Sequence, residues 1–313
     1  MTNLTNKIGA LDVFPLALGG NVFGWTADRD GSFAVLDAYA AGGGNFVDTA
    51  DVYSAWVGGN QGGESEELIG EWFAARGTRE QIVLATKAGS HPAHKGLKAE
   101  TIKAAAEDSL RRLRTDYIDL YYTHYDDPTV PAEEIITALD ALVREGKVRE
   151  IAVSNIEPGR LEEQLAFSDR EGTAKYAAIQ PQYNLVSRDT YEGERMRIAE
   201  RHGLAAVPYY ALASGFLTGK YRPGGTVDSP RAGKAGEYLK SERGPRVLAA
   251  LDEIAQARDV SVATVALAWL RGRPTVAAPI ASARTVQQLP ALMAIAELEL
   301  TAEETERLTA ASE

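Results

Sequence analysis

Short apolar runs alternate along this chain with longer stretches in which apolar residues recur every three or four positions. The short runs predict strands buried on both faces, because a central parallel strand has neighbours on each side. The longer stretches predict amphipathic helices, as Ile135, Leu139 and Leu142 illustrate. The predicted strands are 16–20, 45–50, 82–87, 118–124, 148–155, 177–184, 204–210 and 275–281. The predicted helices are 33–43, 65–76, 101–114, 132–146, 159–168, 191–203, 245–258, 261–271 and 285–298.

The order of these elements predicts the fold class. Eight strand–helix units without sequence repetition indicate one α/β domain over residues 1–313, a (β/α)8 TIM barrel. An open doubly wound sheet is the competing architecture, and it is disfavoured because no GxGxxG follows the first strand. Segments 4–7 and 11–14, on either side of a turn at 8–10, predict a β-hairpin that caps the barrel floor. Segment 219–244 is rich in Gly, Pro and charge and predicts a long loop after the seventh strand, consistent with a lid.

Composition narrows the classes of partner. The 45% hydrophobic and 25% charged content is that of an ordinary globular protein, and the net charge of −11 opposes binding to nucleic acid. No apolar stretch reaches the ~18 residues of a membrane span, and Asp12 and Pro15 interrupt the first apolar run. The lack of cysteine excludes disulfides, thiolate catalysis and Cys-ligated metals. We therefore expect a cytoplasmic protein without a membrane or nucleic-acid partner.

Four ionisable residues lie at or just beyond the ends of predicted strands. Asp48, Lys87 and His124 end three of the runs, and Tyr53 follows the first of these. Strand ends form the catalytic face of a barrel, and a buried Lys87–Asp48 pair would be costly unless it served a purpose. A neighbouring cation favours the phenolate, so we expect Lys87 to lower the pKa of Tyr53 below about 10. Such a phenol can protonate a developing alkoxide, with His124 bonded to the same oxygen.

Two long motifs resemble the aldo-keto reductase family. GGGNFVDTADVY (42–53) is similar to its signature around the catalytic aspartate and tyrosine, and SLRRLRTDYIDLYYTH (109–124) is similar to the one that ends at the catalytic histidine. VLATK supplies the lysine, and the resemblance covers nearly the whole chain. It implies a bacterial-type member near the potassium-channel β-subunit branch, which reduces a small aldehyde or ketone with NADPH, NADH being less favoured. The implied catalytic tetrad is Asp48, Tyr53, Lys87 and His124.

The resemblance also implies a cofactor site. Ser154, Asn155 and Gln180 match residues that bind the nicotinamide carboxamide, and Tyr209 matches the aromatic that stacks on the ring. The remaining implied cofactor-binding residues are Gly20, Asn21, Asp48, Leu212, Ser214, Gly215, Lys220, Arg231, Ser282, Arg284 and Gln288.

Within that set, the run ALASGFLTGKY (211–221) is similar to the family's pyrophosphate loop. Arg284 looks like the group that engages the adenosine 2′-phosphate, and an arginine fork suits a phosphate dianion. Arg231 would clamp the cofactor from the lid. Ala291 and Leu292 stand where the family usually has Glu and Asn at the adenine end.

Three aromatic residues, Trp25, Trp56 and Tyr125, lie just past strand ends and are expected to line the substrate pocket, with core packing as the alternative. One rival function is a cofactor-binding regulatory subunit of the same fold. The lack of an extension before the hairpin, and of a recognisable partner segment, favours the enzyme. A metal-dependent hydrolase is the other rival. No metal is expected, because His91 and His94 lie in a loop without a third ligand.

Overall fold

The computed structural model describes residues 5–225 and 227–313. Its strands are β1 (Asn6–Ile8), β2 (Leu11–Val13), β3 (Ala17–Gly19), β4 (Phe46–Asp48), β5 (Val83–Ala88), β6 (Ser90–His91), β7 (His94–Lys95), β8 (Ile118–Thr123), β9 (Val148–Ser154), β10 (Tyr176–Gln180), β11 (Ala205–Ala206) and β12 (Ile280–Ala281). Its α-helices are α1 (Arg29–Ala41), α2 (Glu64–Arg76), α3 (Ala99–Leu113), α4 (Ala132–Arg144), α5 (Pro158–Glu171), α6 (Glu194–His202), α7 (Ala232–Tyr238), α8 (Arg243–Arg258), α9 (Val262–Arg271), α10 (Leu289–Met293) and α11 (Ala302–Ala311).

Eight parallel strands form one sheet in the order β11, β10, β9, β8, β5, β4, β3, β12. Backbone hydrogen bonds join its two edges. The Ala206 N–H donates to the Thr275 carbonyl at 2.8 Å, and the Ala277 N–H donates to the Ala206 carbonyl at 2.9 Å. The sheet therefore curls on itself with helices between successive strands, and the predicted (β/α)8 barrel is confirmed.

The N-terminal hairpin covers the end of the barrel that lies away from the strand carboxyl ends. Ile8 pairs with Leu11 across a turn in which Gly9 has φ +55°, a left-handed conformation that favours glycine. Ile8, Leu11 and Val13 pack into one cluster with the inward-facing barrel side chains. The predicted turn is wrong at Ile8, which belongs to the strand because it is paired and buried. Leu4, the first residue of the predicted hairpin, lies outside the described residues.

Proline residues shorten the last two barrel strands, β11 and β12, relative to the predicted strands 204–210 and 275–281. Pro208 and Pro279 carry no N–H and cannot donate to the ladder. The predicted helix 285–298 is likewise broken, with Pro290 in the first turn of α10. The structure also contains elements that were not predicted: the small antiparallel pair of strands β6 and β7, helix α7 within the 219–244 loop, and helix α11.

Tyr39 on α1 holds two segments of the barrel wall together. Its side chain is fully buried, and its hydroxyl donates to the Leu16 carbonyl at 2.7 Å. The same oxygen accepts from the Phe46 N–H at 3.2 Å. One phenol thus satisfies backbone groups just before β3 and at the start of β4, the strand that carries Asp48.

Tyr39→Phe is expected to lower the free energy of unfolding by about 1–3 kcal/mol, because it leaves the Leu16 carbonyl and the Phe46 N–H buried without a partner. Urea unfolding would measure the change. Tyr121→Phe is the matched control, since the buried Tyr121 hydroxyl has no hydrogen-bond partner among the residues described. Equal losses in the two variants would contradict this role for Tyr39.

Candidate active site

A buried ion pair lies at the carboxyl ends of two neighbouring strands. Asp48 ends β4 and Lys87 lies near the end of β5, and both residues have 0% exposure. The Lys87 ammonium donates to Asp48 Oδ1 at 2.7 Å, to the Thr49 carbonyl at 2.7 Å and to the Tyr53 hydroxyl oxygen at 3.1 Å. Three acceptors match the three hydrogens of a charged ammonium. Burial lowers the pKa of Lys87, and the Asp48 carboxylate opposes that shift.

Tyr53 follows β4 and extends into the same site. Its hydroxyl lies 3.5 Å from Asp48 Oδ1, which is too long for a strong hydrogen bond, so the phenol hydrogen remains available. Burial, followed by the Asp48 carboxylate, raises the pKa of Tyr53 well above its ordinary value. The expectation of a lowered pKa is therefore wrong for this structure, because burial, followed by the charge of Asp48, disfavours the phenolate. Tyr53 is a protonated phenol at neutral pH.

His124 follows β8 and completes the group of four. Its ring centroid lies 6.1 Å from that of Tyr53. Burial, together with the charge of Lys87, lowers the pKa of His124 to about 3, so the imidazole is neutral at physiological pH. Its Nδ1 is buried and has no hydrogen-bond partner in the described part of the chain. Buried polar atoms are normally satisfied, so this nitrogen fits a site that binds a polar ligand.

The residues expected around a nicotinamide form a hydrogen-bonded network with this group. Gln180 Nε2 donates to Asp48 Oδ2 at 2.9 Å. The Tyr209 hydroxyl donates to Asn155 Oδ1 at 2.7 Å, and Asn155 Nδ2 donates to the His124 carbonyl at 2.9 Å. The later strands of the barrel are thereby connected to the ion pair and to the imidazole.

These side chains border a cavity of about 1050 Å³. That volume is at the upper limit of ordinary ligand pockets, so a dinucleotide fits the site better than a small carbonyl compound alone. Lys87 and Gly20 are the predicted site residues that do not line it. A Cβ on Gly20 would lie 2.9 Å from Ser65 Oγ, and Gly19 lines the wall instead. The predicted residues that do line it are Trp25, Trp56, Tyr125, Tyr53, His124, Asn21, Asp48, Ser154, Asn155, Gln180, Tyr209, Leu212, Ser214, Gly215, Lys220, Arg231, Ser282, Arg284 and Gln288.

The cavity is basic although the chain carries a net charge of −11. Asp48 is the only acidic residue among the described residues that line it, and Asp48 is already paired with Lys87. The basic lining residues are Lys220, Arg231, Lys234 and Arg284. Lys234, on α7, had no recognisable signal in the sequence. Uncompensated cations in a cleft attract anionic ligands such as phosphate groups.

Three of the eight described non-glycine residues with left-handed backbone line the same cavity. Asn155, Tyr210 and Ser214 have φ of 48°, 53° and 58°, in the left-handed region that non-glycine residues rarely adopt. Gly215 continues the left-handed run at φ 93°. Each strained non-glycine residue costs about 1–3 kcal/mol, and such residues are typical of ligand sites.

Aromatic rings form the mouth of the cavity. Trp25 and Trp56 meet edge to face at 5.7 Å, and Trp56 lies 6.1 Å from the Tyr53 ring. Tyr125 stacks on His124 at 5.1 Å. Trp56, Tyr125 and Tyr210 are 51%, 56% and 38% exposed, unlike the buried core aromatics. Exposed aromatic side chains grouped at one cleft are typical of a binding surface for an apolar ligand.

Comparison with known proteins identifies the family to which this chain belongs. The model of the aldo/keto reductase family matches residues 15–313. The chain belongs to that family. It is 32% identical to norsolorinic acid reductase of Emericella nidulans, over 96% of this chain and 78% of that protein. It is 30% identical to the aryl-alcohol dehydrogenase [NADP(+)] of Phanerodontia chrysosporium, over 94% and 81%, and 31% identical to protein tas of Escherichia coli, over 93% and 92%.

This aldo/keto reductase is therefore an oxidoreductase, from a family that acts on small carbonyl compounds. Over 5–225 and 227–313, none of its helices is long and apolar enough to cross a membrane. The same ranges contain no group of three or more His, Asp or Glu residues placed to hold a metal ion. His94 Nε2 instead lies 2.8 Å from Asp108 Oδ2.

Proposed function

We propose that this protein reduces an aldehyde or ketone with NADPH and that Tyr53 is the proton donor. The observation that carries the proposal is the contact of the Tyr53 hydroxyl with Lys87, 3.1 Å apart, beside a basic cavity. A protonated phenol next to a buried ammonium is a suitable general acid, because the cation stabilises the phenolate that remains after proton transfer.

Each member of the group has a separate role. When bound, NADPH supplies the hydride that reduces the carbonyl carbon. Tyr53 delivers its hydroxyl proton to the substrate oxygen, and Lys87 then stabilises the phenolate. Asp48 holds Lys87 in place through the 2.7 Å contact. The neutral imidazole of His124 positions the same substrate oxygen by hydrogen bonding.

The basic residues favour a cofactor with three phosphate groups. Arg284 and Arg231 are close enough for the charge of Arg284 to lower the pKa of Arg231, after the larger effect of burial. Two neighbouring guanidinium groups repel each other unless an anion lies between them or beside them. Arg284 is assigned to the 2′-phosphate, which distinguishes NADPH from NADH, and one similar protein is named for NADP(+). Ala291 and Leu292 line the cavity and would offer an apolar surface to the adenine.

The aromatic mouth favours a planar aromatic carbonyl compound as substrate. Trp25, Trp56 and Tyr125 offer ring edges and faces next to Tyr53 and His124, where the carbonyl group would lie. Ring–ring contacts contribute about 0.5–1.5 kcal/mol beyond their burial. Among similar proteins, one is named as an aryl-alcohol dehydrogenase.

Tyr53→Phe is expected to lower kcat for carbonyl reduction by about 10²–10⁴-fold, because it removes the proton donor and leaves the cavity shape unchanged. The decrease in absorbance of the reduced nicotinamide would measure turnover, and fluorescence titration would measure NADPH affinity. Binding should remain within about twofold of the parent. A variant as active as the parent would exclude this role. Tight NADPH binding without turnover in the parent would favour the regulatory-subunit alternative.

Arg284→Ala should weaken NADPH binding by roughly ten- to a hundredfold, since it removes charged hydrogen bonds to one phosphate. NADH, which lacks that phosphate, is the matched control ligand and should bind the variant and the parent alike. Titrations of both proteins with both cofactors provide the test. A parallel loss for NADH would place Arg284 at a different part of the cofactor.

Trp56→Ala should reduce kcat/KM for an aromatic aldehyde by roughly three- to tenfold, the equivalent of one lost ring–ring contact. A straight-chain aldehyde with the same number of carbon atoms is the control substrate, and its kcat/KM should change less. An equal loss for the two substrates would count against recognition of the aromatic ring.

A further inference from the structure

Asp51 is a buried carboxyl that the proposed chemistry does not use. It lies in the chain between Asp48 and Tyr53 and is 1% exposed. Neither of its side-chain oxygens has a hydrogen-bond partner of standard geometry in the part of the chain that the structure describes, although the nearby backbone N–H groups of His91 and Val52 oppose the effect of burial on its pKa. An ionised carboxylate without donors is strongly unfavourable in a protein interior. We therefore expect the Asp51 carboxyl either to remain protonated or to have a functional role.

A second carboxyl and a guanidinium, neither of which lines the cavity, act on Asp51 through their charges. Glu66, on α2, is fully buried and accepts hydrogen bonds from Thr86 Oγ1 at 2.5 Å and from Arg112 Nε at 2.7 Å. Arg112, on α3, has its Nη2 buried without a partner among the described residues. Charge on Glu66 raises the pKa of Asp51 and charge on Arg112 lowers it, so the three groups interact through the interior.

Lys87 connects this cluster to the active site. The Asp51 N–H donates to the Lys87 carbonyl oxygen at 3.2 Å, and the charge of Asp51 raises the pKa of Lys87. The cations of this interior are Lys87 and Arg112, and its carboxyls are Asp48, Asp51 and Glu66. Asp48 and Glu66 each accept a hydrogen bond from a cation. One proton makes the interior neutral, and Asp51 is the carboxyl of the three that accepts no side-chain hydrogen bond from the described residues.

We propose that Asp51 is a positioning residue whose carboxyl, neutral or ionised, sets the charge balance around Lys87 and thereby the ease with which Tyr53 releases its proton. This role rests on the proposed reductase function. Asp51 acts through Lys87 and does not line the cavity. Burial, followed by the charge of Glu66, raises the pKa of Asp51 to about 7. Its charge therefore changes close to neutral pH.

The charges of Asp51 and Lys87 predict how pH changes the rate of proton delivery by Tyr53. Below pH 7 Asp51 is neutral, and the charge of Lys87 is free to stabilise the Tyr53 phenolate. Above pH 7 the ionised carboxyl adds a negative charge and disfavours that phenolate. Two other ionisable neighbours are shifted away from neutral pH, because burial lowers the pKa of His91, on β6, and raises that of Tyr121, on β8. Proton delivery should accordingly be faster below pH 7 than above it.

Asp51→Asn supplies a neutral amide of the same shape and tests the proposal. The quantity to measure is kcat for carbonyl reduction at saturating NADPH from about pH 5.5 to about pH 8.5. In the parent, kcat should fall severalfold with a midpoint near pH 7, and the variant should keep the parent's low-pH rate without that inflection. Asp140→Asn is the control. It makes the same change at a buried carboxyl on α4 that accepts from the Ala174 N–H at 2.9 Å, and it should keep the inflection.

A measurement of stability tests the buried proton independently of activity. The pKa of Asp51 is raised from 3.8 to about 7, so its stabilising contribution is complete below pH 3.8 and is lost as the pH rises towards 7. Relative to Asp51→Asn, the unfolding equilibrium constant of the parent should rise by roughly tens of fold between about pH 5 and about pH 8. Chemical unfolding of the two proteins at both pH values provides the ratio.

The two measurements separate the possible failures. Parent and variant with the same kcat profile, or with a pH-independent ratio of unfolding constants, would overturn the role of Asp51 and leave the reductase function standing. A parent that reduces no carbonyl compound at any pH would overturn the reductase function, and the positioning role with it, even where the unfolding ratio showed the buried proton.

Discussion

The Lys87 ammonium and the Asp48 carboxylate meet 2.7 Å apart with no exposure to solvent, and the top of the barrel is organised around them. Removing two charges from water is costly, and the pair persists because its remaining groups are also satisfied. Lys87 has two further acceptors, and Asp48 Oδ2 receives the Gln180 amide from across the barrel. Apolar side chains of similar volume would often stabilise such a position as well or better, so the pair is best understood as a functional feature.

That pair also determines what the cavity can bind. Because Asp48 and Lys87 neutralise each other, the net charge of the cavity comes from the basic residues on the loops after β11 and β12, against an acidic chain as a whole. Those loops also hold Tyr210 and Ser214 in left-handed conformations. The strain and the close grouping of cations both disfavour the free protein, and a bound polyanion would relieve the electrostatic part.

Most of the site was predictable because its signals are local. Asp48, Lys87 and His124 end apolar runs, and a parallel barrel brings all strand carboxyl ends to one face. The pKa of Tyr53 was predicted in the wrong direction, since it depends on burial and on the position of Asp48 relative to Lys87, and neither is visible in a motif. Helix α11 could have been predicted from its capping box, in which Thr301 and Glu304 bond each other's backbone.

Asp51 illustrates the kind of information that no local pattern contains. Its neighbours in the chain identify it only as part of a motif, whereas its raised pKa comes first from burial and then from the charge of Glu66, which lies on α2. Packing buries its oxygens without a side-chain donor among the described residues, and burial raises the pKa of Asp51. A barrel that buries Lys87 also buries carboxyls around it, and Asp51 is the one among them whose pKa is raised towards neutral pH. The pH response of the enzyme would then be set behind the cavity wall, in a layer that no ligand touches.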